Sequence, residues 1–240
     1  MNEKFLVEFL LIAFIMKIAG EFVHEVLGHG LFVILFGGRI IQIYLSILWP
    51  YELSYIRWSG NFENWQIICI EGAGIILCTA FSIVLQTLLL LGISNKYRFL
   101  TFSIFWLAFW TFLNPAGYLI LGGISPFGDV AALIAKGVLT RTSSIILGLA
   151  MFLGSFISLS KSLCDVLRSA GRLKKSRDLR LSLSLFWLII PAVTFAYCLK
   201  TGRPFHCMGT AGALSFLPAI IGFMSARLFC SKSDKKENYV

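Results

Sequence analysis

Residues 24–29 read His24-Glu25-Val26-Leu27-Gly28-His29, two imidazoles and a carboxylate inside a largely apolar run from Phe5 to Phe36. Ionisable side chains at membrane depth are expensive and are kept where they have a partner or a task. Two histidines around a glutamate are the parts of a zinc site with its own general base. The chemistry expected of such a set is metal-assisted hydrolysis, with Glu25 moving the proton.

The spacing has to be reconciled with helix geometry. Residues four apart on an α-helix lie about 40° apart around the axis, so a pair at that spacing grips one ion. His24 and His29 are five apart, which in a regular helix separates them by roughly 140°. A single π-turn brings five residues back to about 50°, and such turns gather at functional sites. Gly28 is a position where the hydrogen-bond ladder can shift. The other repair ends the helix near Gly28 and leaves His29 on the turn before Gly30. A third reading needs no metal: Glu21, Glu25 and His29 run i, i+4, i+8 behind Lys17, as a ladder of charges facing other helices.

A third ligand has to come from elsewhere. The chain has only three His. His206 sits between Phe205 and Cys207 in a short loop and reads as a solvated loop residue. Asp129 closes a Gly- and Pro-punctuated stretch that begins at Asn114-Pro115, and broken backbone at membrane depth is tolerated where it lines a cavity. It serves as a ligand, or as the N-cap of a helix over 130–139. Glu71, in Glu71-Gly72-Ala73-Gly74, and Glu21 are candidates to hold a ligand imidazole from behind.

The surrounding elements are set by composition. Of 240 residues 58% are hydrophobic and only 14% charged, and the mean hydropathy is +0.82. Soluble domains are nearer half apolar and a quarter charged, so the chain reads as an all-α polytopic membrane protein in a lipid bilayer. Runs long enough to cross fall at 5–36, 66–93, 98–122, 143–160, 181–199 and 209–230, about six transmembrane helices. The alternation of 37–45 after Gly37-Gly38 predicts a small β-hairpin within 37–64, lying at the interface. Residues 1–140 then form a core carrying the motif, and 141–240 add further helices and a basic tail.

The net charge is +9. Seven Lys and Arg fall between Lys161 and Arg180 and three more at Lys232, Lys235 and Lys236, flanking apolar segments, where they meet lipid headgroups rather than nucleic acid. With six spans, thirteen basic residues collect on the side of both termini against six opposite, which places both termini in the cytoplasm. The six Cys include no C-x-x-C pair, and most read as small apolar core residues.

Taken in order, His24-Glu25 with His29, Gly37-Gly38-Arg39-Ile40, Gly72-Ala73-Gly74, and Asn114 with Pro126 and Asp129 resemble the site-2 protease family of intramembrane zinc metalloproteases. The resemblance covers residues 20–135. It implies Zn2+ held by His24, His29 and Asp129, Glu25 as base and proton shuttle, and Asn114 holding an extended strand of a membrane protein or peptide substrate. The family carries one residue fewer between its histidines and a Gly after its Asp, where this chain has Val130. Its Asn beyond the glycines of the second helix is replaced by Ile75-Ile76. Two other functions suit the same residues: a metal-dependent hydrolase of lipid or a small amphiphile, and a non-catalytic membrane protein of the protease-like fold.

Overall fold

The computed structural model describes residues 3–47, 53–92, 97–169, 176–200 and 213–230. His206, Cys207, part of the basic run (Arg172, Lys174, Lys175) and the tail lysines lie outside them. The first apolar run is one continuous rod: α1 (Glu3–Phe22), a π-helical segment (Val23–Gly30) and a last α-helical turn, α2 (Leu31–Leu35). Gly37, at φ +81°, ends the rod in a left-handed conformation that costs glycine little. The chain then turns into β1 (Arg39–Tyr44), which pairs antiparallel with β2 (Tyr55–Ser59) through an irregular register at Ile41. The hairpin is therefore where alternation and the glycine pair put it.

Three helices are long and apolar enough to cross a membrane: Asn64–Leu90, Arg98–Ile124 and Arg141–Leu167. They belong to α3 (Asn64–Leu90), α4 (Arg98–Ile124) and α6 (Arg141–Ser169), with the short α5 (Gly128–Ala135) between the last two. A capping box starts α3, the Gln66 side chain accepting the Glu63 N–H at 2.8 Å. Among the described residues the other expected runs are not helices of that length and apolarity. The first is the rod with its π segment. The fifth is two twelve-residue helices, α7 (Ser176–Trp187) and α8 (Ile189–Lys200). Pro191 has no N–H to give to the Trp187 carbonyl, and the ladder breaks there. The last run is α9 (Ala213–Cys230).

Helix α4 is the centre of the bundle. Phe102, Phe105, Trp106, Phe109 and Phe112 are all essentially inaccessible. Phe9 of α1 meets Phe102 edge-on at 5.2 Å, while Trp110 Nε1 donates to the Ala13 carbonyl at 2.9 Å, so α1 and α4 run parallel. On the other side Phe109 packs on Phe186 and Trp187 of α7 at 4.9 and 6.2 Å. Phe156 of α6 lies 4.8 Å from Trp187, whose Nε1 donates to Ser160 Oγ at 3.0 Å. Aromatic faces supply dispersion and quadrupole contacts that hold helices together where lipid weakens the hydrophobic drive. The consequence for the site is directional: because α1 and α4 are parallel, their C-terminal ends, and the start of the antiparallel α3, share one end of the bundle.

Truncating Phe109→Ala is expected to cost about 3 kcal/mol or more in a detergent unfolding titration. Phe99→Ala, at a residue 63% exposed, should change the midpoint little; equal losses would place the core elsewhere.

Candidate metal centre

The π segment brings the two imidazoles onto one face. Their ring centroids lie 4.9 Å apart at 80°, and the two Nε2 atoms are 3.3 Å apart. The widened turn is the first of the two repairs that the spacing allows; the rod does not end at Gly28. What makes room for it is α3. A Cβ on Gly28 would stand 2.6 Å from Gly74 Cα and 2.9 Å from Gly74 N, so the two backbones cross almost in contact. A Cβ on Gly74 would stand 2.6 Å from His24 Cε1 and 2.7 Å from His29 Nε2. Only glycine at both positions lets the wide turn and its rings lie flat on α3.

Asp129 arrives from α4. Pro115 deprives the Thr111 carbonyl of its helical partner, and the helix runs on to Ile124 before the chain turns at Gly128, φ +52°. Helix α5 then folds back over α4, with Val130 so close to Gly122 that a Cβ there would be 2.7 Å from Val130 Cβ. The N-cap of α5 is Phe127, without a side-chain cap, and Asp129 occupies the first turn. Its carboxylate does not cap the helix. It points at the rings: Oδ2 lies 3.0 Å from His24 Nε2 and 3.3 Å from His29 Nε2. Burial alone would push this carboxyl up, but its contacts with His24 and His29 outweigh that and hold it well below the usual carboxylate range. That direction favours the carboxylate, the form in which Asp binds a metal.

The rings are oriented from behind by α3. His29 Nδ1 donates to the Ile70 carbonyl at 2.6 Å, since a carbonyl only accepts, and its Nε2 is turned to the centre. His24 Nδ1 lies 3.9 Å from Cys78 Sγ, so its Nε2 also faces inward. Ile70, Gly74 and Cys78 form one i, i+4, i+8 stripe of α3. The backing place that the sequence offered to Glu71 is thus taken by the backbone of its neighbour Ile70. Glu71 is half-buried in the fields of Asp129, His29 and Lys136. The Tyr118 ring covers His24 at 5.6 Å and is itself covered by Phe127 at 5.1 Å. Tyr118 and Cys78 were not singled out from sequence. Each lies four residues beyond a residue that was, Asn114 and Gly74, and that spacing is the signal.

The charge ladder is split between two tasks. Lys17 Nζ donates to the Ser46 carbonyl, and the Ser46 N–H donates to Ser54 Oγ at 3.0 Å. The Glu21 carboxylate lies beside Ser54 and Asn114. Lys17 therefore anchors the connecting end of the hairpin, beyond Tyr44 and Tyr55, to the rod, with Glu21 beside it. Glu25 is buried on the π segment in the fields of both imidazoles and Asp129. Asn114 is buried beside Glu21, and its Oδ1 has no hydrogen-bond partner among the described residues.

His24, His29 and Asp129 are a group able to hold a metal ion, their ligand atoms all within 4.8 Å of one another. The three separations of 3.0, 3.3 and 3.3 Å approach the edge of a tetrahedron with bonds of about 2.0–2.1 Å, which is about 3.3 Å. Two nitrogens and one oxygen are a donor set that fits a divalent metal ion. No family model, curated protein or solved structure matches this chain.

Gly74→Ala is expected to preserve helix content while weakening divalent-cation affinity by at least about tenfold, because the added methyl displaces both rings. Competition titration with a chromophoric chelator measures this. Unchanged affinity would show that α3 does not seat the imidazoles.

Proposed function

We infer that this chain is an intramembrane zinc metallopeptidase, a divergent relative of the site-2 proteases, that hydrolyses peptide bonds of membrane-embedded substrates. The observation that carries the reading is the meeting of His24 Nε2, His29 Nε2 and Asp129 Oδ2 within 3.3 Å beside a buried Glu25. Two imidazoles and a carboxylate are a donor set of catalytic zinc, unlike the thiolates of Cu(I) or the all-oxygen shells of Mg2+ and Ca2+. Zinc held by His24, His29 and Asp129 would supply a Lewis acid and lower the pKa of a bound water.

The remaining work falls to the chain itself. Glu25 accepts the proton of the attacking water and delivers it to the leaving amine. The Ile70 carbonyl keeps the His29 ring turned to the centre. Asn114 Oδ1, buried and unpartnered, accepts an N–H from an extended substrate segment; the substrate helix has to unwind to offer one. In the bilayer we place six spans, with both termini cytoplasmic by the basic-residue asymmetry. The rod Glu3–Leu35, about 50 Å long at 1.5 Å per residue, carries the site toward the opposite face.

The test is metal content and turnover of the purified, reconstituted protein. Wild type should carry one zinc per chain and cut a membrane-embedded helical peptide. His24→Ala and Asp129→Ala should lose the zinc. Glu25→Gln should keep the zinc and lose at least about a hundredfold in rate. Cleavage by Glu25→Gln, or wild type free of zinc after zinc supplementation, overturns the proposal. Turnover of lipid extracts with helical peptides left intact would replace the substrate class by an amphiphile.

A further inference from the structure

The hairpin has a second face, turned away from the rod. Cross-strand partners share a face and successive residues alternate, so the register sorts the side chains. The pairs Ile40–Trp58 and Ile43–Ile56 make one face. It lies on the rod: a Cβ on Gly30 would stand 3.1 Å from Ile56 Cδ1 and 3.3 Å from Ile40 Cδ1. The pairs Arg39–Ser59, Gln42–Arg57 and Tyr44–Tyr55 make the other. Arg39, Gln42, Arg57 and Ser59 are all exposed there. Arg39 and Arg57 are diagonal neighbours across the two strands, with Cα atoms about 7–8 Å apart. Arg57 Cζ stands 5.3 Å from the centre of the Tyr55 ring, and the Tyr44 ring lies 5.4 Å from Tyr55.

The two positive charges of this face lack a counter-charge. Among the described residues no carboxylate forms an ion pair with Arg39 or Arg57. Glu63, which follows β2, is taken up by the cap of α3 and by Trp65 Nε1. The surroundings are apolar. Ile41 and Leu35 are each 66% exposed, and Trp65, 5.2 Å from Phe36 at the end of the rod, is exposed too. The hairpin also runs back along the rod, because the Ser46 carbonyl beyond β1 accepts from Lys17. The arginines therefore lie alongside an apolar helix rather than beyond its end. Helix α3, long and apolar enough to cross a membrane, starts just after β2. In a bilayer this is the depth where headgroups meet acyl chains, and a guanidinium there is costly until an anion meets it.

We propose that Arg39 and Arg57 together bind the headgroup phosphate of an anionic phospholipid. The occupant is argued from charge. Guanidinium forks pair with phosphate oxygens two hydrogen bonds at a time. A zwitterionic headgroup brings its own cation, which an uncompensated pair of arginines repels. A headgroup of the phosphatidylglycerol kind brings none. The apolar rim at Ile41 and Leu35 suits the acyl chains of the same lipid, and it offers a free anion or a soluble acidic peptide nothing. No residue of the metal centre takes part, so the proposal stands or falls apart from the peptidase reading.

The test is lipid photolabelling with the adducts mapped along the chain. Full-length protein is reconstituted in phosphatidylcholine vesicles doped with photoactivatable phosphatidylglycerol or, in parallel, photoactivatable phosphatidylcholine. Wild type should label within 31–59 far more strongly with phosphatidylglycerol. The double variant Arg39→Gln, Arg57→Gln should lose that labelling by about tenfold or more. Labelling around the basic run from Lys161 to Arg180 should not change, and it serves as the internal reference. If the double variant fails to fold, each single substitution carries the comparison, with a loss of about threefold or more. Hairpin labelling that is equal for the two lipids, that survives the substitutions, or that millimolar inorganic phosphate displaces overturns the proposal.

Discussion

The structure depends on one steric allowance, the near-contact of Gly28 with Gly74. An eight-residue π segment is wider than the α-helix on either side of it, and a wider turn needs somewhere to go. Here it goes against a helix stripped of side chains at the crossing. The same absence of a Cβ on Gly74 accommodates both imidazoles. Every other feature of the centre, from the tautomer of His29 to the reach of Asp129, is arranged around that crossing.

The rest of the bundle supplies direction and rigidity. The aromatic centre of α4 holds α1 parallel to it, so that His24 and the α4–α5 turn emerge at the same end. The left-handed Gly128 beyond the end of α4 then returns Asp129 toward the rod, with Gly122 giving Val130 room to lie back on α4. Lys17 is drawn off into hairpin anchoring with Glu21 beside it, leaving Glu25 as the carboxylate of the π segment beside the rings. A single apparent stripe of charges thus divides because a π-turn rotates everything beyond it.

Much of this was legible beforehand, and for stated reasons. A five-residue His spacing around a glycine has few ways to converge, and the π-turn was one of two. Gly37-Gly38 followed by alternating residues had to turn and extend. Asp129 was the acidic residue after a broken helix whose direction matched the first. What was not legible follows from interactions without a side-chain signature. The partner of His29 is a main-chain carbonyl, so attention fell on Glu71, the nearest carboxylate, instead of Ile70. The fifth apolar run reads as one span by hydropathy, while a missing amide hydrogen at Pro191 divides it.

Residue type and spacing alone determined the apolar, helical character of the chain, the hairpin and the list of groups able to bind a cation, because solvation cost and helix periodicity are local properties. The tertiary structure alone decided which of those groups meet. Whether Asp129 caps a helix or faces two imidazoles depends on how closely two backbones pass at Gly28 and Gly74, a distance between segments 46 residues apart in the chain. No local rule contains that distance.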